Sequence, residues 1–153
     1  MKHLYLCTVI LVLICAVLAP IIYLSLHNKQ EEYQSSVDLS PEEVVINYFK
    51  YRNEKNLNLL KATVIDRHKR TNWELNTLDR VEILSIEEVV EGIVLSDYHA
   101  EEAYDFKLFE VEYEISFKKE TTQRSGVHVW RYSVIKETED SPWLIDYWGA
   151  TGC

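Results

Sequence analysis

Asp105–Lys119 reads DFKLFEVEYEISFKK, a run of alternating character with no proline or glycine. From Phe109 on, Phe109, Val111, Tyr113, Ile115 and Phe117 share one face, and Glu110, Glu112, Glu114 and Ser116 share the other. Successive side chains of a strand point to opposite faces, so this period predicts a strand with one face in a core and one in water. The glutamates form an acidic ladder. Ca²⁺ wants about six to eight oxygens around it, and carboxylates in line on a flat strand rarely converge that way. The ladder therefore reads as a solvated outer face, partly neutralised by basic residues on a neighbouring strand.

On the C-terminal side, Glu120–Gly126 is a turn and Val127–Lys136 a second strand, with His128, Trp130, Tyr132 and Val134 on one face. Glu137–Ser141 is a hairpin turn, and Pro142 opens a last strand, Trp143–Gly149. By alternation Trp143, Ile145 and Tyr147 face one way, and Leu144, Asp146 and Trp148 the other. A strand apolar on both sides is expected inside the sheet, with Asp146 the one acid on its face. On the N-terminal side, Val89–Ala103 is a loop or short irregular helix. Before it, Leu78–Glu88 (LDRVEILSIEE) is a further strand, with Val81 and Ile83 on one side and Leu84 and Ile86 on the other.

The start of the domain carries its sharpest local signal. In Leu39-Ser40-Pro41-Glu42-Glu43-Val44, Ser40 is an N-cap and Pro41 sits where its missing N–H costs nothing. Glu43 closes a capping box, and Leu39 against Val44 makes a hydrophobic staple. The helix runs to about Arg52, with Val44, Val45, Tyr48, Phe49 and Tyr51 on its apolar face. Asn53–Asn56 breaks it. A shorter helix follows, with Leu57, Leu60 and Val64 at helical spacing. Asp66–Asn76 is polar, and His68, between Arg67 and Lys69, reads as a solvated loop histidine rather than a site residue.

Two helices, a strand, an irregular segment and three long antiparallel strands argue an α+β fold. The N-terminal helices pack on a curved antiparallel sheet, a cone with a pocket between helix and concave face.

Ahead of this domain, Leu4–Leu26 (LYLCTVILVLICAVLAPIIYLSL) has no charge and no glycine. As a helix it reaches about 34 Å, enough for a hydrocarbon core of about 30 Å. Its apolar core exceeds that of a secretory signal, and Pro20 obstructs the best cleavage pattern, Val17-Leu18-Ala19. Tyr5 and Tyr23 sit near its ends, as interfacial aromatics do. The expected organisation is a short cytoplasmic tail at 1–3, a transmembrane anchor at 4–26, a linker at 27–38 and an α+β cone domain at 39–153. The chain is then single-pass in the cell membrane, with its C-terminal domain outside the cytoplasm.

Charge narrows the partners. Residues 27–153 hold fifteen of the 16 Lys+Arg and all 25 Asp+Glu, a net charge of −10. Such a domain repels phosphate backbones, so nucleic acid is not an expected partner. The three cysteines are Cys7, Cys15 and Cys153, two in the span and one terminal, so the domain has no internal disulfide framework and no CxxC metal motif. Cys153 reads as a free thiol.

The opening Ser40-Pro41-Glu42-Glu43-Val44-Val45 with Tyr48-Phe49, then Asn53-Glu54-Lys55-Asn56, and the closing Ser141-Pro142-Trp143-Leu144-Ile145-Asp146-Tyr147-Trp148-Gly149 resemble a family of bacterial domains of unknown function, mainly Gram-positive. The likeness covers about residues 39–150. That family is similar to the nuclear-transport-factor-2-like (cystatin-like) cone fold. The resemblance implies a fold and a place outside the membrane, often behind a lipoprotein signal or anchor, and brings no catalytic residues. This chain departs from the pattern in lacking a convincing lipobox.

No phosphate loop, HExxH, nucleophile elbow or Cys/His pair is present. No cofactor or metal is implied. His128, Tyr132 and Asp146 are the polar groups expected on inward faces of adjacent strands, and with Trp130 and Trp148 they are the candidate pocket lining. Three functions stay open. The first is a membrane-tethered extracytoplasmic binding module for a small ligand or envelope protein. The second is an isomerase- or hydratase-like enzyme, which needs Asp146 and His128 to converge. The third is a scaffold subunit of an envelope assembly, in which case the chain would oligomerise. The first is preferred.

Overall fold

The computed structural model describes residues 18–20, 23, 39–93, 100–119 and 122–150. Of the expected span, only Leu18, Ala19, Pro20 and Tyr23 are included, all helical. The remainder of Leu4–Leu26, the 27–38 linker and Cys153 lie outside the described residues. No helix among the described residues is long and apolar enough to cross a membrane.

Helix α1 (Pro41–Glu54) begins as its sequence dictates. Ser40 Oγ accepts the Glu43 N–H at 3.2 Å, and Glu43 Oε2 accepts the Ser40 N–H at 2.7 Å. Leu39 and Val44 both pack on the core. The helix ends without glycine. Lys55 takes the left-handed conformation (φ 56), and the Lys55 and Asn56 N–H groups donate to Arg52 and Tyr51 carbonyls. Asn56 Oδ1 then accepts the Leu59 N–H and caps α2 (Leu57–Ala62). Val64 lies beyond the end of α2, not on it, and bridges in parallel to Ile145.

Strands β1 (Leu78–Glu88), β2 (Asp105–Phe117), β3 (Gly126–Lys136) and β4 (Leu144–Ala150) form an antiparallel sheet in the order β1-β2-β3-β4. The fold is α+β. β4 is an edge strand, against the expectation of an internal one. Its outer edge is covered instead by the segment after α2: the Ile65 N–H donates to the Ile145 carbonyl at 3.1 Å, and the Ile145 N–H to the Thr63 carbonyl at 2.9 Å.

Register shifts redirect three faces. In β1, Asp79 and Leu84 are extra residues opposite β2, so Leu78, Val81, Ile83 and Ile86 all reach the core while Leu84 is exposed. Leu84 and Ile86 therefore do not share a face. In β4, Asp146 is the extra residue opposite β3. Ile145 pairs with Val134 and Trp148 with Tyr132, so Trp148 joins Ile145 on the core side and Tyr147 turns away. Strict alternation put Trp148 with Leu144 and Tyr147 with Ile145, and the bulge exchanges the two.

α1 buries Val44, Val45, Tyr48 and Phe49 against Phe109, Val111, Tyr113, Ile115, Tyr132, Val134 and Ile145. Aromatic rings fill the centre, with Phe49 and Tyr113 centroids 5.0 Å apart and Phe49 and Tyr132 5.4 Å apart. A smaller cluster of Ile65, Ala100 and Ile135 with Phe106 and Leu144 is separate from it. On the acidic ladder Arg131 meets Glu110 at 3.3 Å, whereas Glu112 and Glu114 lie opposite Val129 and Val127. Neutralisation from β3 thus reaches one of the three rungs.

Candidate functional site

The second half of α1, the loop before β1, the β2–β3 turn and the ends of β3 and β4 surround a cleft of about 520 Å³. Helical spacing puts Tyr48 and Arg52, four apart, on one face of α1. Register puts Trp130 opposite Val111 on the core side of the sheet. Trp148 arrives beside it because the Asp146 bulge reverses the alternation of β4. The loop adds Trp73, which is buried, and Glu74; the turn adds Thr122, Gln123 and Arg124.

Arg52 is buried, with its guanidinium carbon 5.7 Å from the centre of the Tyr48 ring. Around it the tyrosine hydroxyls stay protonated. Burial raises the Tyr48 and Tyr132 pKa values above the ordinary phenol range and pushes Tyr113 up to about 12, although the Arg52 charge pulls all three downward. Desolvation outweighs the cation. The Tyr113 hydroxyl accepts a bond from Gln123 Nε2 at 2.9 Å, which ties the β2–β3 turn to the core.

The residues expected to line a pocket divide. His128, Trp130 and Trp148 border the cleft. His128 stacks on Tyr113 with centroids 5.6 Å apart, and its Nε2 is 2.9 Å from the Arg124 carbonyl, a bond in which the ring N–H donates. Tyr132 is fully buried and does not border the cleft. Asp146 does not either; its carboxylate binds Arg67 at 2.7 Å. Asp146 bulges between the partners of Ser133 and Val134, five residues along β3 from His128, roughly 17 Å at the rise of a strand. Asp146 and His128 are not brought together, so the proton-transfer pair expected for an isomerase-like pocket does not form.

Tyr48, Arg52 and Trp73 escaped the sequence reading. By sequence Tyr48 reads as core, Arg52 as the end of a helix and Trp73 as part of a polar loop. The available signal was a cation four residues after Tyr48, on the face that carries the apolar stripe.

Residues 42–149 match the family described as a domain of unknown function, DUF4829. The chain belongs to that family. No curated protein matches it, and no solved structure does. The match runs from the first turn of α1 to the end of β4, so every element that frames the cleft lies within the DUF4829 domain. Among the described residues of that domain, no three His, Cys, Asp or Glu side chains stand close enough to hold a metal ion.

Proposed function

We propose that the chain is a ligand-binding module, held outside the cytoplasm of a bacterial cell by an anchor at Leu4–Leu26, with the cleft as its binding site. The observation that carries this reading is the cleft itself: three of the four tryptophans border it, and its volume falls within the range of about 300–1,000 Å³ usual for small-molecule sites. Indole rings offer large, rigid contact area at low entropic cost. A helix on one face of an antiparallel sheet, with an opening at one end, supports a nuclear-transport-factor-2-like cone. The 23 uncharged residues of Leu4–Leu26 support the anchor.

Two measurements test this. Protease added to intact cells should digest residues 27–153 while the mature chain keeps its full-length mass; digestion only in inverted vesicles would reverse the topology. A fragment library screened by NMR against the full chain in detergent should give hits that shift the indole N–H signals of Trp73, Trp130 and Trp148. Hits confined to other surfaces would remove the cleft as the binding site.

A further inference from the structure

At the floor of the cleft lies a cation that no acid among the described residues pairs with. Arg52 is 6 % exposed, and among the described residues it forms no ion pair and its Nε has no hydrogen-bond partner. Trp73 is 5 % exposed, and its Nε1–H, beside the Tyr48 hydroxyl, makes no hydrogen bond among the described residues. Both unsatisfied groups bordering the cleft are donors. A buried donor without a partner is costly, and a guanidinium cannot escape the cost by giving up its proton. Two such donors facing one cavity call for an acceptor that enters it.

Charge decides what that acceptor is. The domain is acidic, but its field is screened over a Debye length of about 8 Å, whereas a group in the cleft meets Arg52 at contact and away from water. Arg124 and His128 stand on the same rim. Glu74 opposes them as the one acid that borders the cleft among the described residues, its Oε1 accepting the Thr122 hydroxyl at 2.9 Å. One buried guanidinium matches one negative charge. A dianion would leave an uncompensated charge beside Glu74, and a neutral ligand would leave Arg52 unpaired.

We propose that the cleft binds a singly charged carboxylate with a flat apolar body, the carboxylate taken by the Arg52 guanidinium and the Trp73 N–H, and the body packed against Trp130 and Trp148. This names the ligand class of the binding site proposed above and rests on that reading. Guanidinium and carboxylate match geometrically as two parallel hydrogen bonds, and aromatic walls accept planar groups of many kinds.

The test uses the full chain in detergent micelles with two probes of one shape, naphthalene carboxylate and its neutral carboxamide, followed by the indole N–H signals. The carboxylate is expected to shift Trp73, Trp130 and Trp148, to leave Trp143 unmoved as an internal control outside the cleft, and to bind about tenfold or more tighter than the carboxamide. Added salt should narrow that ratio. Arg52→Gln should bring the ratio to about one, and Arg52→Lys should keep part of it. Equal binding of both probes at these three indoles would overturn the carboxylate assignment and leave the cleft standing as a site. Failure of both probes to move them would overturn both. The comparison of probes on the unaltered chain holds even if Arg52→Gln does not fold.

Discussion

Asp146 Oδ1 lies 2.7 Å from Arg67 Nη2, and the carbonyl of the same aspartate accepts hydrogen bonds from Arg67 Nη2 at 3.2 Å and from the His68 ring at 2.7 Å. A single 3-10 turn, Asp66–His68, is thus fastened to the bulge that aims Trp148 at the cleft. The His68 and Trp148 rings, 4.6 Å apart, extend the contact.

This pair should stabilise the fold even though one partner is wet. The Asp146 side chain is 2 % exposed and that of Arg67 49 %. Breaking a fully buried pair costs about 3–5 kcal/mol, and solvent at Arg67 screens part of that. Arg67→Met is expected to lower the unfolding free energy by about 1–2 kcal/mol in urea denaturation and to shift the Trp148 indole signal. A chain unchanged in both would show that the bulge holds itself.

Asn53 acts as a missing strand. Its Nδ2 donates to the Val81 carbonyl at 2.5 Å, and its Oδ1 accepts the Val81 N–H at 2.8 Å. Both backbone groups sit on the open edge of β1, where no further strand pairs among the described residues. Asn53→Ala leaves them to find water in a partly buried place, at a cost of about 1–2 kcal/mol. Asn53→Asp loses the donor and sets a carboxylate against a carbonyl, so it should be no better than alanine. Thermal melts of the two variants would reveal a purely decorative contact if both matched the unaltered chain.

Lys55 occupies the left-handed position that ends α1 (φ 56). An L-residue there is strained by about 1–2 kcal/mol, and glycine removes the strain while adding about 0.5–1 kcal/mol of unfolded-chain entropy. The strain wins narrowly, so Lys55→Gly should stabilise by about 0.5–1 kcal/mol. A lower melting temperature would mean that the lysine has a compensating contact.

Where local chemistry alone sets the structure, the sequence was readable. Ser40 and Glu43 announce the helix start, and Leu78 and Glu88 bound β1 as expected. What a period of two cannot carry is an inserted residue. Asp79, Leu84 and Asp146 look like ordinary members of alternating runs, and each reverses the faces beyond it. The edge position of β4 was hidden for a different reason. Residues 63–65, which are not a named strand, cover its free side, so the strand is as apolar as an internal one. Arg52 was hidden because a basic residue in the last turn of a helix is ordinary dipole compensation, and only the packed tertiary structure shows that its charge points inward.

The β1 bulge has a direct consequence for Leu84 and Ile86. Leu84 is 50 % exposed, whereas Ile86 packs against the core. Leu84→Ser should change stability by less than about 0.5 kcal/mol, the scale of ordinary surface substitutions. Ile86→Ala should cost about 1–3 kcal/mol, less than a fully buried isoleucine because Ile86 is only partly covered. Comparable losses at both positions would restore strict alternation and remove the bulge.

The tyrosine cluster gives the fold an alkaline limit. Burial raises the Tyr48, Tyr113 and Tyr132 pKa values, Tyr113 to about 12, while phenols in the unfolded chain titrate near about 10. Below about pH 10 both states are protonated and the stabilising difference is fully present. As pH rises from about 10 toward about 12, the unfolded chain releases protons that the folded chain keeps, so stability falls. For Tyr113 alone the shift corresponds to roughly 2–3 kcal/mol. Followed by tyrosinate absorbance, three of the ten tyrosines should ionise late in the folded chain and with the others in urea. Their ionisation should coincide with loss of the near-ultraviolet aromatic signal, because a phenolate cannot stay in that core. Tyr132→Phe should flatten the alkaline fall. If every phenol ionised near about pH 10 in the folded chain, the hydroxyls would be wet, and the packing of α1 against β2 and β3 would have to be looser than the ring distances require.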